Sequence, residues 1–121
     1  QNIVKLIGYQ SNPFIHIKSA DILVLTSKFE GLPNILLEGQ FLKKYIISTD
    51  CPTGPREILM NGRAGDLFKV ADYKKLAKII NNYPKNTKII SNKIKYGTKN
   101  FYRFNQNLNC KKYLNFVNRN L

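Results

Sequence analysis

The sequence has no tryptophan, a single histidine (His16) and two cysteines, Cys51 and Cys110, too far apart to form a CxxC pair. With so few His and Cys side chains, and with no Asp-x-Asp pair, none of the usual spacings of a metal centre can be written. A domain of 121 residues buries enough core to stand without a disulfide, so two buried or idle thiols of a cytosolic protein are expected. His16 falls on a short helix and is expected at the surface or in packing. No apolar run approaches the ~20 residues that a membrane span needs. Gln1-Asn2-Ile3 has neither the basic nor the apolar region of a signal peptide, and the missing initiator Met suggests a fragment or a processed chain.

Acidic residues are also scarce: seven against twenty Lys and Arg, a formal charge of +13. The imbalance is uneven. Residues 1–60 carry six basic and five acidic side chains, a net of +1, which leaves +12 for residues 61–121. From Tyr83 onward there is no Asp or Glu at all, against nine Lys or Arg. Such a field favours phosphates, nucleic acid or anionic lipid. AT-rich coding, which also enriches Asn, Ile and Tyr, accounts for it equally well.

What is present alternates between short apolar runs and helical patterns. Ile3–Ile7, ended by Gly8, is expected as a buried strand. Asn12 and Pro13 then start a short helix to about Lys18, with Asn12 as N-cap and Pro13 in its first position. Residues 20–26 form a strand apolar enough to be covered on both faces. A helix from about Asn34 to Lys44 follows, capped by Asn34, with Ile35, Phe41 and Leu42 toward the sheet. Tyr45–Ser48 is a third strand. After the Pro- and Gly-rich loop 50–55 come a short helix from Arg56 to about Met60 and an edge strand, Asp66–Lys69. A helix opening at Ala71 or Asp72 turns Leu76, Ile79 and Ile80 inward and stops before Pro84. Residues 86–121 are helical in pattern, interrupted by Gly97, and Tyr113, Leu114, Phe116 and Val117 form an aromatic stripe expected to pack in the core. Strands alternating with helices predict an α/β protein: a Rossmann-like parallel sheet flanked by helices, half of a doubly wound fold, with C-terminal helices.

The stretch that carries chemistry is 26–57. Glu30 and Glu38 flank the turn Gly31-Leu32-Pro33-Asn34 and the apolar run Ile35-Leu36-Leu37. A helix start at the carboxyl end of a parallel strand is where open α/β sheets bind ligands, and its free amides suit a diphosphate. Gly31, lacking a Cβ, lets backbone come close to a ligand. A carboxylate can accept two neighbouring sugar hydroxyls, so Glu30 and Glu38 could hold two polyols on either side of a diphosphate. The plainer alternative is that Glu38 caps the helix start and Glu30 is solvated.

Residues 27–38, Ser-Lys-Phe-Glu-Gly-Leu-Pro-Asn-Ile-Leu-Leu-Glu, resemble the Glu-x7-Glu signature of retaining glycosyltransferases with two Rossmann-like domains, the GT-B group, family four. The flanks agree: Gly8, Asn12-Pro13, Ala20-Asp21, the run from Ile47 through Thr53-Gly54-Pro55-Arg56-Glu57 to Leu59, then Gly62, Gly65 and Asp66-Leu67. The likeness spans roughly residues 3–82. It implies the later part of a C-terminal, donor-binding domain, with 1–83 as a partial nucleotide-sugar-binding unit and 84–121 as basic helices of the same domain. By the same resemblance Glu30 lies at the donor sugar as the catalytic residue and Glu38 binds the ribose hydroxyls. Gly31, Leu32, Pro33, Asn34, Ile35 and Leu36 meet the sugar and phosphates.

The implied reaction is retaining hexosyl transfer from a nucleotide-sugar, commonly a UDP-sugar, to a glycan or lipid-linked acceptor. It needs neither a metal nor another cofactor. The loop 49–57 resembles that of bacterial enzymes of surface polysaccharide assembly (capsule, lipopolysaccharide), which implies a cytoplasmic protein, peripheral on the inner face of the membrane. Departures are Lys43-Lys44-Tyr45, where the family often has small residues and Pro, and the absence of both the upstream Arg and Lys that clamp the diphosphate and the acceptor domain. The 121 residues alone are therefore expected to be inactive or a weak donor binder. Two alternatives stand beside this reading. One is a nucleic-acid-binding module in which Tyr96, Phe101, Tyr102 and Arg103 stack on bases and neutralise phosphates; it leaves residues 27–57 unexplained. The other is a sugar-nucleotide epimerase of the same architecture.

Overall fold

The computed structural model describes residues 3–120. Its centre is a three-stranded parallel sheet in the order β1 (Ile22–Leu25), β2 (Tyr45–Thr49), β3 (Asp66–Phe68). The register runs Ile22 opposite Tyr45 to Leu25 opposite Ser48, then Ile47 opposite Asp66 to Thr49 opposite Phe68. All five residues of β2 are buried, as a central parallel strand covered on both faces requires. The expected parallel α/β architecture is therefore present.

Alternate side chains of β2 point to opposite faces and so seed two cores. On one face Ile46 packs with Leu36 of α2 (Asn34–Phe41) and with Ile58 and Leu59 at the end of α3 (Pro55–Ile58). On the other, Tyr45 and Ile47 pack with Phe68 and with Ile90 of α5 (Thr87–Asn100), joined by Leu76 and Ile79 of α4 (Tyr73–Asn81). Asp72 caps α4, its carboxylate accepting the Lys75 amide at 2.9 Å. A polar seam closes the second core. The Tyr45 hydroxyl donates to Asp66, and Lys93 reaches the same carboxylate at 2.7 Å and the Gly65 carbonyl at 3.2 Å. Burial, and then the bond to Asp66, push the Tyr45 phenol far above its ordinary pKa.

Several expectations need correction. Ile3–Ile7 is not a strand: Ile3, Val4 and Leu6 are exposed, and no described strand pairs with the segment. Apolar composition alone does not hold a strand; its amides need a neighbour to accept them. In α1 (Phe14–Ser19) the cap position is Pro13, one residue later than expected, and Asn12 makes no cap. Asn34 is likewise the first residue of α2 rather than its cap. That helix ends at Phe41, because Lys43 turns into the left-handed region at φ 56°. Its buried residues are Leu36, Gly39 and Gln40, whereas Phe41 is exposed. Val24 of β1 and Ile80 of α4 also lie partly open, so β1 is not covered on both faces.

Gly97 does not interrupt α5. The helix runs straight through it, and a Cβ there would stand 3.1 Å from the Gln40 amide nitrogen and 3.2 Å from Ala64, so glycine is what lets α5 approach α2. The 3-10 turn Phe101–Phe104 leads into α6 (Gln106–Asn120), on which Tyr113, Leu114 and Phe116 are exposed instead of forming core. Both cysteines are free, Cys51 buried and Cys110 exposed, and His16 is exposed with Gln10 at 3.2 Å.

A close backbone approach lies beneath β2. A Cβ on Gly65 would sit 2.6 Å from the Ile46 carbonyl oxygen and 3.0 Å from Leu59. Gly65→Ala is therefore expected to cost about 1–3 kcal/mol, the range for overpacking a core. A thermal melt should move down by several degrees; an unchanged midpoint would contradict the packing described.

Candidate functional site

Two loops meet at the carboxyl ends of β1 and β2. The first, residues 26–33, carries Glu30 and feeds α2; the second, residues 50–54, feeds α3. Thr49 donates to the Ser27 carbonyl at 2.6 Å, and the Thr53 hydroxyl donates to the Glu30 carbonyl. Gly54 seals the junction. Its φ of +85° and the 2.4 Å that would separate a Cβ from both the Gly31 oxygen and Pro33 leave no room for any other residue. Pro33 and Pro55, both buried, stiffen the chain where each loop passes into its helix. Behind the second loop the Asp50 amide donates to the Phe68 carbonyl at 2.7 Å. The Asp50 carboxylate takes a two-pronged contact from Arg56, one prong being Nε at 2.9 Å, and this raises the pKa of the guanidinium further.

The first loop is thus held by its backbone, which leaves its side chains for other work. Glu30 and Glu38 are each half-buried, and neither carboxylate has a hydrogen-bond or ion-pair partner among the described residues. No side chain caps α2, so Glu38 does not serve as its cap. The Leu36 amide turns back to the Pro33 carbonyl at 3.0 Å, while those of Asn34 and Ile35 have no backbone acceptor among the described residues. These are the amides on which the positive end of the helix dipole concentrates, about half an elementary charge. Gly31 is exposed, has no positive φ, and has nothing within 4 Å of the position a Cβ would take. The fold therefore does not demand glycine there, in contrast to Gly54.

Glu38 lies one turn beyond Asn34, and both line an open cavity of about 340 Å3 whose apolar wall is Phe14, Leu37, Phe41 and Phe101. Of the residues that the sequence singled out, Glu30 to Glu38 thus stand together on one loop and the helix that follows it, with Leu36 turned into the core. Sequence reasoning did not identify Thr53 and Gly54 as the brace of that loop, although a glycine between Thr and Pro marked a backbone constraint. Nor did it place Phe14 and Phe101 beside Glu38, since neither is near it in sequence. Among the described residues no three His, Cys, Asp or Glu side chains gather as metal ligands.

The geometry offers a free helix N-terminus, two available carboxylates and an open backbone, and the chain is similar to known proteins. The family model for glycosyl transferases group 1 matches residues 1–86. A lipopolysaccharide 1,6-galactosyltransferase of Salmonella typhimurium is 34% identical over 93 residues, which are 74% of this chain and 24% of that enzyme. A glycosyltransferase structure from Rickettsia africae superposes with a TM-score of 0.81 over 96% of this chain and 31% of its own, at 22% identity. The structure of Anabaena HepE in complex with UDP superposes with a TM-score of 0.72 over 88% of this chain and 29% of its own, at 17% identity. Such structural likeness shows the fold, that of GT-B glycosyltransferases. The chain spans 12–24% of the length of the curated relatives it matches. With the family model covering more than half of it, the chain belongs to the glycosyl transferases group 1 family.

Proposed function

We propose that this chain is the later, donor-binding part of a retaining glycosyltransferase that transfers a hexose from a nucleotide-sugar, a UDP-sugar, to a glycan or lipid-linked acceptor in surface polysaccharide assembly. The observation that carries the reading is the pair of half-buried carboxylates without partners, set on either side of the free amides that open α2. A diphosphate laid on Asn34 and Ile35 meets N–H donors and the positive end of the dipole. Glu38, one turn along, accepts the ribose hydroxyls, and Glu30 accepts from the sugar. Gly31 leaves the space that the sugar phosphate needs. The Salmonella relative's name supports a lipopolysaccharide product, and the UDP in the Anabaena structure supports the nucleotide. Residues 1–83 carry the donor contacts, and 84–121 are basic helices of the same domain.

No helix among the described residues is long and apolar enough to cross a membrane. We place the protein in the cytoplasm, peripheral to an anionic membrane, with the basic second half toward the lipid; each Lys or Arg close to such a surface contributes about 1 kcal/mol. Support comes from α6, which exposes Tyr113 and Leu114 beside Lys111 and Lys112. The nucleic-acid alternative loses three of its four residues to internal contacts, Tyr102 alone staying exposed. Tyr96 holds Arg63, Arg103 lies over Phe104, and the Phe101 ring packs on Phe41 and Phe104.

Kinetics of the enzyme separate the two carboxylates. Glu30→Ala should lower kcat about 100-fold, the scale for losing a charge that acts in the transition state. Glu38→Ala should chiefly raise the donor KM about tenfold, as loss of charge-assisted hydrogen bonds does; wild-type constants for both would sink the assignment. Gly31→Val tests the open backbone: the melting midpoint should stay within about 2 °C, since a surface change away from special contacts has little effect, while donor affinity falls. Loss of stability without loss of affinity would contradict it. Sedimentation with anionic vesicles should be strong at low salt and fade as salt screens the charge; binding indifferent to salt would remove the electrostatic surface reading.

A further inference from the structure

The loop 52–54 that braces Glu30 also forms one wall of a second concavity, of about 530 Å3, which no residue of 30–38 lines. Three arginines line it, Arg56, Arg63 and Arg103, against one acidic residue, Glu57. The three are held differently. Arg56 is neutralised by Asp50. Arg63 is fixed by neutral partners only: it donates to the Tyr96 hydroxyl at 2.9 Å and lies 5.8 Å over that ring. Arg103 donates to the Glu57 carbonyl at 3.1 Å and lies 5.0 Å over Phe104, again without an acidic partner. Its Nε is buried and has no acceptor among the described residues.

Aromatic faces and carbonyl oxygens orient a guanidinium without cancelling its charge. A buried N–H with no acceptor is unfavourable unless something supplies one. An oxyanion with several oxygens complements such uncancelled guanidinium groups. We propose that the groove between loop 52–54, α3 and Arg103 is a phosphoryl-binding site, with Arg63 and Arg103 as its principal contacts and Arg56 as a third. Its ligand is a phosphate or diphosphate group, carried either on a soluble or pendant molecule or on a lipid headgroup. The site is independent of the donor contacts on α2, but it adjoins them through Thr53 and Gly54. Occupation would therefore press on the loop that holds Glu30.

Calorimetric titration of inorganic pyrophosphate at low ionic strength tests this. Wild-type protein should bind saturably. Arg63→Gln, an exposed position, and Arg103→Lys, which keeps the charge but loses the fork, should each weaken binding roughly tenfold or more. Circular dichroism checks that both fold. Lys74→Gln, an exposed change outside both sites, should leave pyrophosphate affinity unchanged. A parallel arm uses phosphatidylcholine vesicles containing phosphatidic acid. Arg63-dependent co-sedimentation without pyrophosphate binding assigns the phosphoryl group to a lipid, whereas pyrophosphate binding assigns it to a soluble or pendant diphosphate. Binding that folded Arg63→Gln and Arg103→Lys retain in full overturns the site, as does the absence of binding in both arms.

Discussion

The contact between the two loops at the carboxyl ends of β1 and β2 is the constraint on which the rest of the site depends. Thr53 bonds to the Glu30 carbonyl, and Gly54 lies so close to Gly31 and Pro33 that no Cβ fits between them. Loops are normally the mobile, adaptable parts of a fold. Here the backbone of one is fixed by the backbone and a hydroxyl of the next, and both spring from adjacent strands of one sheet. The backbone at Glu30 is therefore held without using its side chain. The bond fixes the backbone of Glu30 and leaves its carboxylate unpaired among the described residues, the arrangement that the proposed sugar contact uses.

How much of this was legible in the sequence depended on whether the deciding partner was local. The strands at 22–25, 45–49 and 66–68 were legible because each is a short apolar run between turn residues, and α4 because Asp72 stands at its start and Pro84 beyond its end. The Glu30–Glu38 pair was legible through its motif. Ile3–Ile7 was not, since a strand exists only with a neighbour and its composition says nothing of one. Gly97 looked like a break because glycine is a poor helix former, but helix packing against Gln40 and Ala64 outweighs that preference of about 1 kcal/mol. The stripe at 113–117 looked like core for the same reason Phe41 did: apolar spacing marks a face but cannot say what covers it. The clustering of Phe14, Phe41 and Phe101 around Glu38 joins three distant parts of the chain, and no local pattern encodes it.

The charge distribution takes on meaning in the same way. Counted along the chain, the excess of Lys and Arg after residue 60 is equally a coding bias or a functional field. In the fold it divides. Lys93 is absorbed by Asp66 inside the polar seam, as Arg56 in the first half is by Asp50, whereas Arg63 and Arg103 are oriented by neutral groups. Only the last arrangement leaves positive charge both fixed and uncancelled.

The central claim is that the free amides opening α2, between Glu30 and Glu38, hold a nucleoside diphosphate. Backbone amide chemical shifts followed by NMR during a UDP titration test it most directly. The account predicts that Gly31, Asn34 and Ile35 shift most, saturating together, with Thr53 and Gly54 following through the loop contact. Shifts confined to the basic helices after Tyr83, with residues 31–35 unmoved at saturation, would contradict it.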